Sequence, residues 1–383
     1  MRIQRNFNGL CLCIWVAIGC GASPDDTATP GMGAGTDPVT GLPQTPGDAP
    51  AAPTDESTTA TTPAPGGAGE ELPAAPGPAE ALPIDPVAPG MYQYEAETVA
   101  LDASRTIAKG ETLRVGPGTT FQAVTGVQLI VEGTMIVEGT VGAPVRFLGA
   151  GVPRSWEGIV VTEGGTLEMT HVEIGGATYG IHAMPGSNFT IDHAEIGTSF
   201  KAAVVQSDGF FNHTKFHASG DPAFSISSAA PITDVNGTLT IVGASPMVTN
   251  SSFDGSAALV DMIRVRDGSS PILDHLYITQ AHCGVHMEGG INNSPTITNT
   301  IFESLAYGVM AYTTKPRIEG SVFKSNGNDI GFCFGATADN APMLTGNFYA
   351  AGTPIVDPSC TGIGTKDTNP ATAADATAGP IGL

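Results

Sequence analysis

Five residues in the later half of the chain have the side-chain types that bind an acidic sugar chain: Arg264, Arg266, His286, Glu288 and Tyr312. They alternate with aliphatic residues in three short segments, and successive residues of a strand point to opposite faces, so we expect all five on one outer face. Guanidinium groups pair with carboxylates in a bidentate manner, and an aromatic ring can stack on a sugar. The pattern predicts a polysaccharide-binding face. The alternative is a mixed solvent face in which Asp261 and Asp267 neutralise the arginines.

A second column of residues recurs at the spacing of one repeat and contains four histidines: His171, His193, His213, Asn250, His275, Asn299, Gly320 and Gly346. Stacked imidazoles are typical ligands of zinc or copper. A tight corner in the left-handed backbone conformation also selects His, Asn and Gly. Because the column mixes these three types, we interpret it as a structural corner and predict no metal and no cofactor. A metal site on the histidines is the alternative.

The elements that position these residues come from a repeat. Its first phrase is a proline, an aliphatic residue two places later and a bulky apolar residue seven places after the proline, starting at Pro246, Pro271, Pro295, Pro316 and Pro342. A second phrase pairs a small residue with an apolar one: Gly158-Ile159, Gly180-Ile181, Ala203-Val204, Ala223-Phe224, Gly284-Val285, Gly308-Val309 and Gly331-Phe332. Such periodicity is typical of stacked units that cannot bury their apolar faces alone.

Each repeat contains three short apolar runs separated by turns, and no window has helical periodicity. The repeats resemble those of right-handed parallel β-helices in the pectin-lyase-like superfamily, and the later ones look like the NosD and carbohydrate-binding type. The resemblance covers residues ~95–355 and includes the opening phrases GETLRVGPGTTF and VEGTMIVEGTVGAPVRFLGAG. It implies an all-β fold, a three-sheet solenoid over residues 94–360. At ~4.8 Å per rung, about eleven rungs make a rod of roughly 50 Å.

The resemblance also indicates which catalytic elements to seek. Hydrolases of this fold carry paired aspartates, Asn-x-Asp, Gly-His-Gly and Arg-x-Lys, whereas lyases use a basic residue with a calcium cluster. This chain offers only Ala281-His282-Cys283-Gly284 and Arg264-Val265-Arg266 as partial counterparts. The sequence therefore favours a non-enzymatic protein that binds polysaccharide or acts as a structural or adhesion module. The alternative is a lyase, hydrolase or other enzyme acting on acidic glycans.

The N-terminal part predicts export and anchoring. Residues 1–20 have two arginines and a short apolar run, and they end in Val-Ala-Ile-Gly-Cys, which resembles a bacterial lipobox with Cys20 as the lipidated residue. By the same resemblance, Gly21 favours the outer membrane, at the cell surface or on its periplasmic face. The alternative is an ordinary cleaved secretory signal. Residues 21–93 are rich in Pro, Ala and Thr without Lys or Arg, which predicts a disordered tether, and 361–383 form a low-complexity tail.

The formal net charge of −22 argues against binding nucleic acid or anionic lipid through bulk electrostatics. The expected partners are therefore the outer membrane, through the lipid anchor, and a polysaccharide. Three cysteines remain after Cys20, and an exported chain permits a disulfide between Cys333 and Cys360, which would leave Cys283 as a thiol.

Overall fold

The computed structural model describes residues 73, 76–77, 79–82, 86–150, 154–197, 199–218, 237–256, 260–288, 292–311, 314–332, 341–357 and 367–383. Several residues with predicted roles lie outside this part of the chain: Cys20, Gly21, the pair Ala223-Phe224, Tyr312, Cys333 and Cys360. So does most of the predicted tether. None of the described segments forms a helix long and apolar enough to span a membrane.

The described residues form short strands. The first sixteen are β1 Glu80–Ala81, β2 Met91–Tyr94, β3 Thr98–Leu101, β4 Arg105–Ile107, β5 Thr112–Val115, β6 Thr120–Ala123, β7 Gln128–Val131, β8 Thr134–Glu138, β9 Val145–Leu148, β10 Trp156–Val161, β11 Thr166–Gly175, β12 Ala177–Ala183, β13 Asn188–Gly197, β14 Lys201–Val205, β15 Phe210–Asn212 and β16 Lys215–His217. The others are β17 Gly237–Val242, β18 Met247–Thr249, β19 Ser252–Asp254, β20 Asp261–Arg266, β21 Ile272–Asp274, β22 Tyr277–Thr279, β23 Cys283–Met287, β24 Thr296–Thr298, β25 Ile301–Glu303, β26 Tyr307–Ala311, β27 Arg317–Glu319, β28 Val322–Lys324, β29 Asn328–Phe332, β30 Met343–Thr345 and β31 Phe348–Tyr349.

These strands stack in three parallel columns, one strand of each column per turn of the chain. The first sheet runs β1-β4-β7-β10-β12-β14-β17-β20-β23-β26-β29. The second column continues through β15-β18-β21-β24-β27-β30 and the third through β16-β19-β22-β25-β28-β31, and the long strands β11 and β13 pass through both. The predicted all-β parallel solenoid is therefore confirmed.

The solenoid has about nine turns, slightly fewer than the predicted eleven. Eleven strands can be followed in the first sheet. Two strands near the ends of the solenoid are only two residues long: β1 in the first sheet and β31 in the third column.

The proline phrase places side chains in the core as its periodicity predicts. The residue seven places after the proline is Phe253, Ile278, Phe302, Phe323 and Tyr349 in successive turns, and all five are buried. The rings of Phe302 and Phe323 stack with centroids 4.8 Å apart and an interplanar angle of 9°. When similar apolar residues stack on successive turns, each turn contacts a similar residue in the turn above and in the turn below. The sequence repeat thus produces a core whose contacts repeat from turn to turn.

The corner between the second and third strands is also confirmed. Every residue of the column containing the histidines has a positive φ, from 45° at His213 to 68° at Gly346. The residue after the corner often carries a side-chain oxygen that accepts a backbone N–H from the turn before it; Thr214 N–H donates to Ser251 Oγ at 3.1 Å, and Thr300 N–H to Ser321 Oγ at 3.2 Å. The corner position therefore selects residues that tolerate a positive φ, and the next position selects small polar residues that accept a backbone hydrogen bond from the neighbouring turn.

The described tail, residues 367–383, completes this ladder. Asp367 accepts hydrogen bonds from the N–H groups of Gly346 and Asn347, at 3.1 and 3.0 Å, where a further turn would otherwise supply the acceptor. The tail then runs back along the corner: Gly379 N–H donates to Asn299 O at 2.8 Å, and Ile381 O lies 3.0 Å from His213 Nε2. The segment that sequence alone describes as low-complexity therefore covers the end of the ladder and part of the corner.

Candidate functional site

An irregularity in the first sheet decides which side chains reach the outer surface. In β20 two consecutive residues, Met262 and Ile263, are both fully buried in the core. A Cβ added to Gly284, the equivalent position of β23, would lie 2.8 Å from a ring carbon of Phe302, so this position also faces inward. Since two inward positions are adjacent, the residues on both sides of them point outward. Asp261 on β20, next to Cys283 on β23, therefore joins the outer face.

Asp261 is the centre of a cluster on this face. Its Oδ1 lies 3.2 Å from His282 Nδ1 and its Oδ2 lies 2.5 Å from Nδ1 of His286. The carboxylate is fully buried, whereas the two imidazoles keep partial access to solvent. Burial alone would raise the pKa of the Asp261 carboxyl, but the charge of His286 and the hydrogen bonds from both histidines outweigh it and lower that pKa. Asp261 is held as a carboxylate.

Cys283 completes the cluster. Its Sγ lies 3.3 Å from His282 Nδ1 and 3.7 Å from the Sδ of Met310 on the next strand. Burial, with Asp261 nearby, raises the pKa of the Cys283 thiol well above its ordinary value. A nucleophilic cysteine needs the opposite shift. A relay of the Cys-His-Asp kind also uses opposite nitrogens of the imidazole, whereas here the sulfur and the carboxylate approach the same nitrogen. The carboxylate, the thiol and the imidazole nitrogen therefore converge on one point, as ligands of a single ion do, and are not arranged as a nucleophile and its base.

The face predicted to bind polysaccharide lies beside this cluster. Arg264 forms an ion pair with Glu288, and Nε of Arg266 lies 3.1 Å from Asp267 Oδ2 and 3.7 Å from Glu288 Oε2. The structure brings together four of the five predicted residues, Arg264, Arg266, His286 and Glu288, while Tyr312 lies outside the described residues. Whether they bind a ligand stays a prediction.

The exposure of these four side chains is low. Alternation places these residues on the outer face, but the side chain of Arg264 is only 9% exposed and that of Glu288 25%. Thr240, which precedes Arg264 in the same outward column, is buried as well. A buried guanidinium is stable when a carboxylate compensates it, and Glu288 does so. The arginines are thus part of an intramolecular charge network, in which Arg264 pairs with Glu288 and Arg266 lies beside Asp267 and Glu288.

Sequence reasoning missed the three residues that define the cluster: Asp261, His282 and Cys283. From the sequence, Asp261 is a residue that flanks the arginines, and His282 and Cys283 belong to a partial counterpart of the Gly-His-Gly element, but nothing in the pattern predicts that the three meet. The signal was present in the repeat. Asp261 and Cys283 are one turn apart and each lies two places before an inward aliphatic residue, Ile263 or Val285. Recognising it would have required knowing that the intervening Met262 and Gly284 also face the core.

The corner histidines form a second cluster of a different kind. His193 Nδ1 and His213 Nδ1 lie 2.9 and 3.1 Å from the two oxygens of Asp192, and the rings of the two histidines stack with centroids 4.4 Å apart. Partial burial raises the pKa of Asp192, but hydrogen bonds from His213, His193 and Asn212 reverse this and lower it. All three members of the cluster are half-exposed. These contacts fit the structural corner, because each histidine has the positive φ that the turn requires.

The fold and this face define the described chain as a parallel β-solenoid with a polar cluster on the outside of its first sheet. Comparisons with known protein families, with curated proteins and with solved structures find no match to the chain.

Proposed function

We propose that the protein is a lipid-anchored, non-enzymatic solenoid of the bacterial envelope, held to the outer membrane by Cys20 and presenting its rod for polysaccharide binding or adhesion. The observation that carries the proposal is the charge pairing on the first sheet. Arg264 and Arg266 both lie next to the carboxylate of Glu288, so the carboxylate of a ligand would replace Glu288 beside the arginines. This pairing provides no separate general acid and general base, and it therefore suits binding rather than catalysis.

The fold supports a mechanical role as well. Each turn of a parallel solenoid forms backbone hydrogen bonds with the turns above and below, which makes the rod stiff along its length. A disordered segment rich in proline, as predicted for residues 21–93, would hold such a rod on the order of 50 Å or more from a membrane. A lipid anchor, a flexible tether and a stiff rod together suit a protein that binds or adheres to a partner at a distance from the membrane.

The anchor is tested with the Cys20→Ser variant of the full chain in a bacterial host. We expect the variant to lose incorporation of a labelled fatty acid and to move from the membrane pellet to the soluble fraction, because the thioether bond to the lipid requires the sulfur. Cys13→Ser, in the preceding apolar run, is the matched control and should keep both properties. Undiminished labelling of the Cys20→Ser variant would contradict the anchor.

Ligand binding is tested by screening the detergent-solubilised full chain on a glycan array, with an ultraviolet assay for unsaturated uronate product. We expect binding to acidic glycans without product, and a loss of about tenfold in affinity for Arg266→Ala, since a charged hydrogen bond contributes roughly 1.5 kcal/mol or more. Arg317→Ala, an exposed arginine on β27, is the control and should bind normally. Product formation would establish the lyase alternative, and the absence of any glycan binding would leave only the adhesion role.

A further inference from the structure

The cluster of Asp261, His282 and Cys283 brings three different ligating atoms to one point. His282 Nδ1 lies 3.2 Å from Asp261 Oδ1 and 3.3 Å from Cys283 Sγ, and the three atoms all lie within 4.8 Å of one another. With metal–ligand bonds of 2.0–2.3 Å, the edges of a tetrahedral site measure about 3.3–3.6 Å. The two separations from His282 Nδ1 are therefore close to two edges of a tetrahedral coordination shell, and the third, between Asp261 Oδ1 and Cys283 Sγ, is at most 4.8 Å.

Neighbouring side chains extend this shell. Met310 Sδ is 3.7 Å from Cys283 Sγ, which places a thioether beside the thiol. His286 holds the second oxygen of Asp261 through its own Nδ1 at 2.5 Å. Hydrogen bonding of a ligating carboxylate to a second group is the usual way in which a metal ligand is oriented. The donor set of one thiol, one imidazole, one carboxylate and an adjacent thioether is too soft for magnesium or calcium, which take oxygen ligands.

Burial separates this cluster from an ordinary surface group of acids and histidines. Asp261 and Cys283 are fully buried, and the side chain of His282, 21% exposed, gives the only partly open approach among the three. A carboxylate in such a place needs compensating positive charge. A bound cation would supply it, and would do so where water is already largely excluded.

We propose that Asp261 Oδ1, His282 Nδ1 and Cys283 Sγ bind one thiophilic transition-metal ion, zinc(II) or copper(I), with His286 positioning the carboxylate and Met310 adjacent to the sulfur. Binding forms a metal–thiolate bond and a metal–imidazole bond: the thiol proton passes to solvent, His282 binds as the neutral imidazole with its proton on Nε2, and no oxidation state changes. The site is independent of polysaccharide binding, and neither role requires the other.

The test uses the purified full chain in detergent, reduced, stripped with a chelator, dialysed against zinc(II), stabilised copper(I) or magnesium(II), and analysed for retained metal. We expect about one zinc or copper ion per chain and no magnesium. Cys283→Ser and His282→Gln should each weaken zinc binding by at least about tenfold, since outer partners of metal ligands alone change affinity 10–100-fold. Titration with cobalt(II) should give a thiolate-to-cobalt charge-transfer band that the Cys283→Ser variant lacks.

Two control variants locate the ion. His193→Asn alters the corner cluster and keeps a residue type that tolerates positive φ, so it should retain the ion. A Cys333→Ser/Cys360→Ser double variant should retain it too. Loss of the ion in either control, retention in Cys283→Ser, or absence of the cobalt–thiolate band in the unmutated folded chain would each overturn the proposal. The last measurement needs no variant, so it decides the matter even where a substitution prevents folding.

Discussion

Replacing Asp261 by Asn is expected to lower the free energy of unfolding of the metal-free protein by about 3 kcal/mol, the lower part of the range for breaking a buried charge pair. The substitution keeps the shape of the side chain but removes the charge that both His282 and His286 face. The carboxylate offers two acceptor oxygens whereas the amide offers one oxygen and an NH2 group, so one of the two imidazoles loses its acceptor. Urea denaturation with a chelator present measures the loss.

Asp192→Asn is the matched control for this prediction. Asp192 also lies between two histidines, His193 and His213, at 2.9 and 3.1 Å, but its side chain is 34% exposed. Ion pairs open to solvent contribute on the order of 0–1 kcal/mol. The same chemistry should therefore give a much smaller loss at the corner. Equal losses at the two positions would mean that burial does not set the strength of the Asp261 network.

The comparison also explains why one cluster was visible in the sequence and the other was not. The corner column could be predicted because one backbone requirement, positive φ, applies to the same position of every turn and selects His, Asn and Gly. Asp261 and Cys283 obey no such common rule. They occupy a column that holds Tyr307 in the next turn, so their proximity follows from strand register rather than from a repeated residue type.

The core was predictable for the same reason as the corner. The apolar residues of the proline phrase, such as Val248 and Phe253, face the interior in every turn because a solenoid repeats its interior contacts.

The exposure of Arg264 was not predictable from alternation. Alternation says only that a side chain leaves the core, whereas its burial depends on what lies over the outer face.

The small-residue phrase was right in part, and its errors are informative. Gly284 and Gly308 are equivalent positions that face the core, as the phrase predicts. In two turns the assigned register was wrong: Ala202 rather than Ala203 is equivalent to Gly180, and Asp329 rather than Gly331 is equivalent to Gly308. Asp329 is buried and accepts hydrogen bonds from Asn326 and the backbone of Ile355, so an interior polar network replaces the small residue in that turn. A pattern of residue types cannot anticipate this exchange.

The phrase leads to a second large effect, at Gly308. A Cβ at this position would lie 2.7 Å from the backbone oxygen of Asp329 and 2.9 Å from a ring carbon of Phe323. Neither neighbour can move freely, since one is backbone in the next strand and the other is stacked between Phe302 and Tyr349. We therefore expect Gly308→Val to destabilise the protein by about 3 kcal/mol, the upper part of the usual range for overpacking, in urea denaturation.

Gly142→Val provides the control, because a Cβ at Gly142 has no heavy atom within 4 Å and the residue has no positive φ. That variant should stay within about 0.5 kcal/mol of the unmutated protein, as surface substitutions do. The contrast isolates steric crowding between turns from the general effect of adding a branched side chain. If both variants were equally stable, the turns near Gly308 would have to separate enough to admit a side chain. Asp261 lies two turns before Gly308, and His282 and Cys283 lie one turn before it. The spacing between those turns would then be adjustable as well, and the fold would no longer fix the distances between the three ligating atoms.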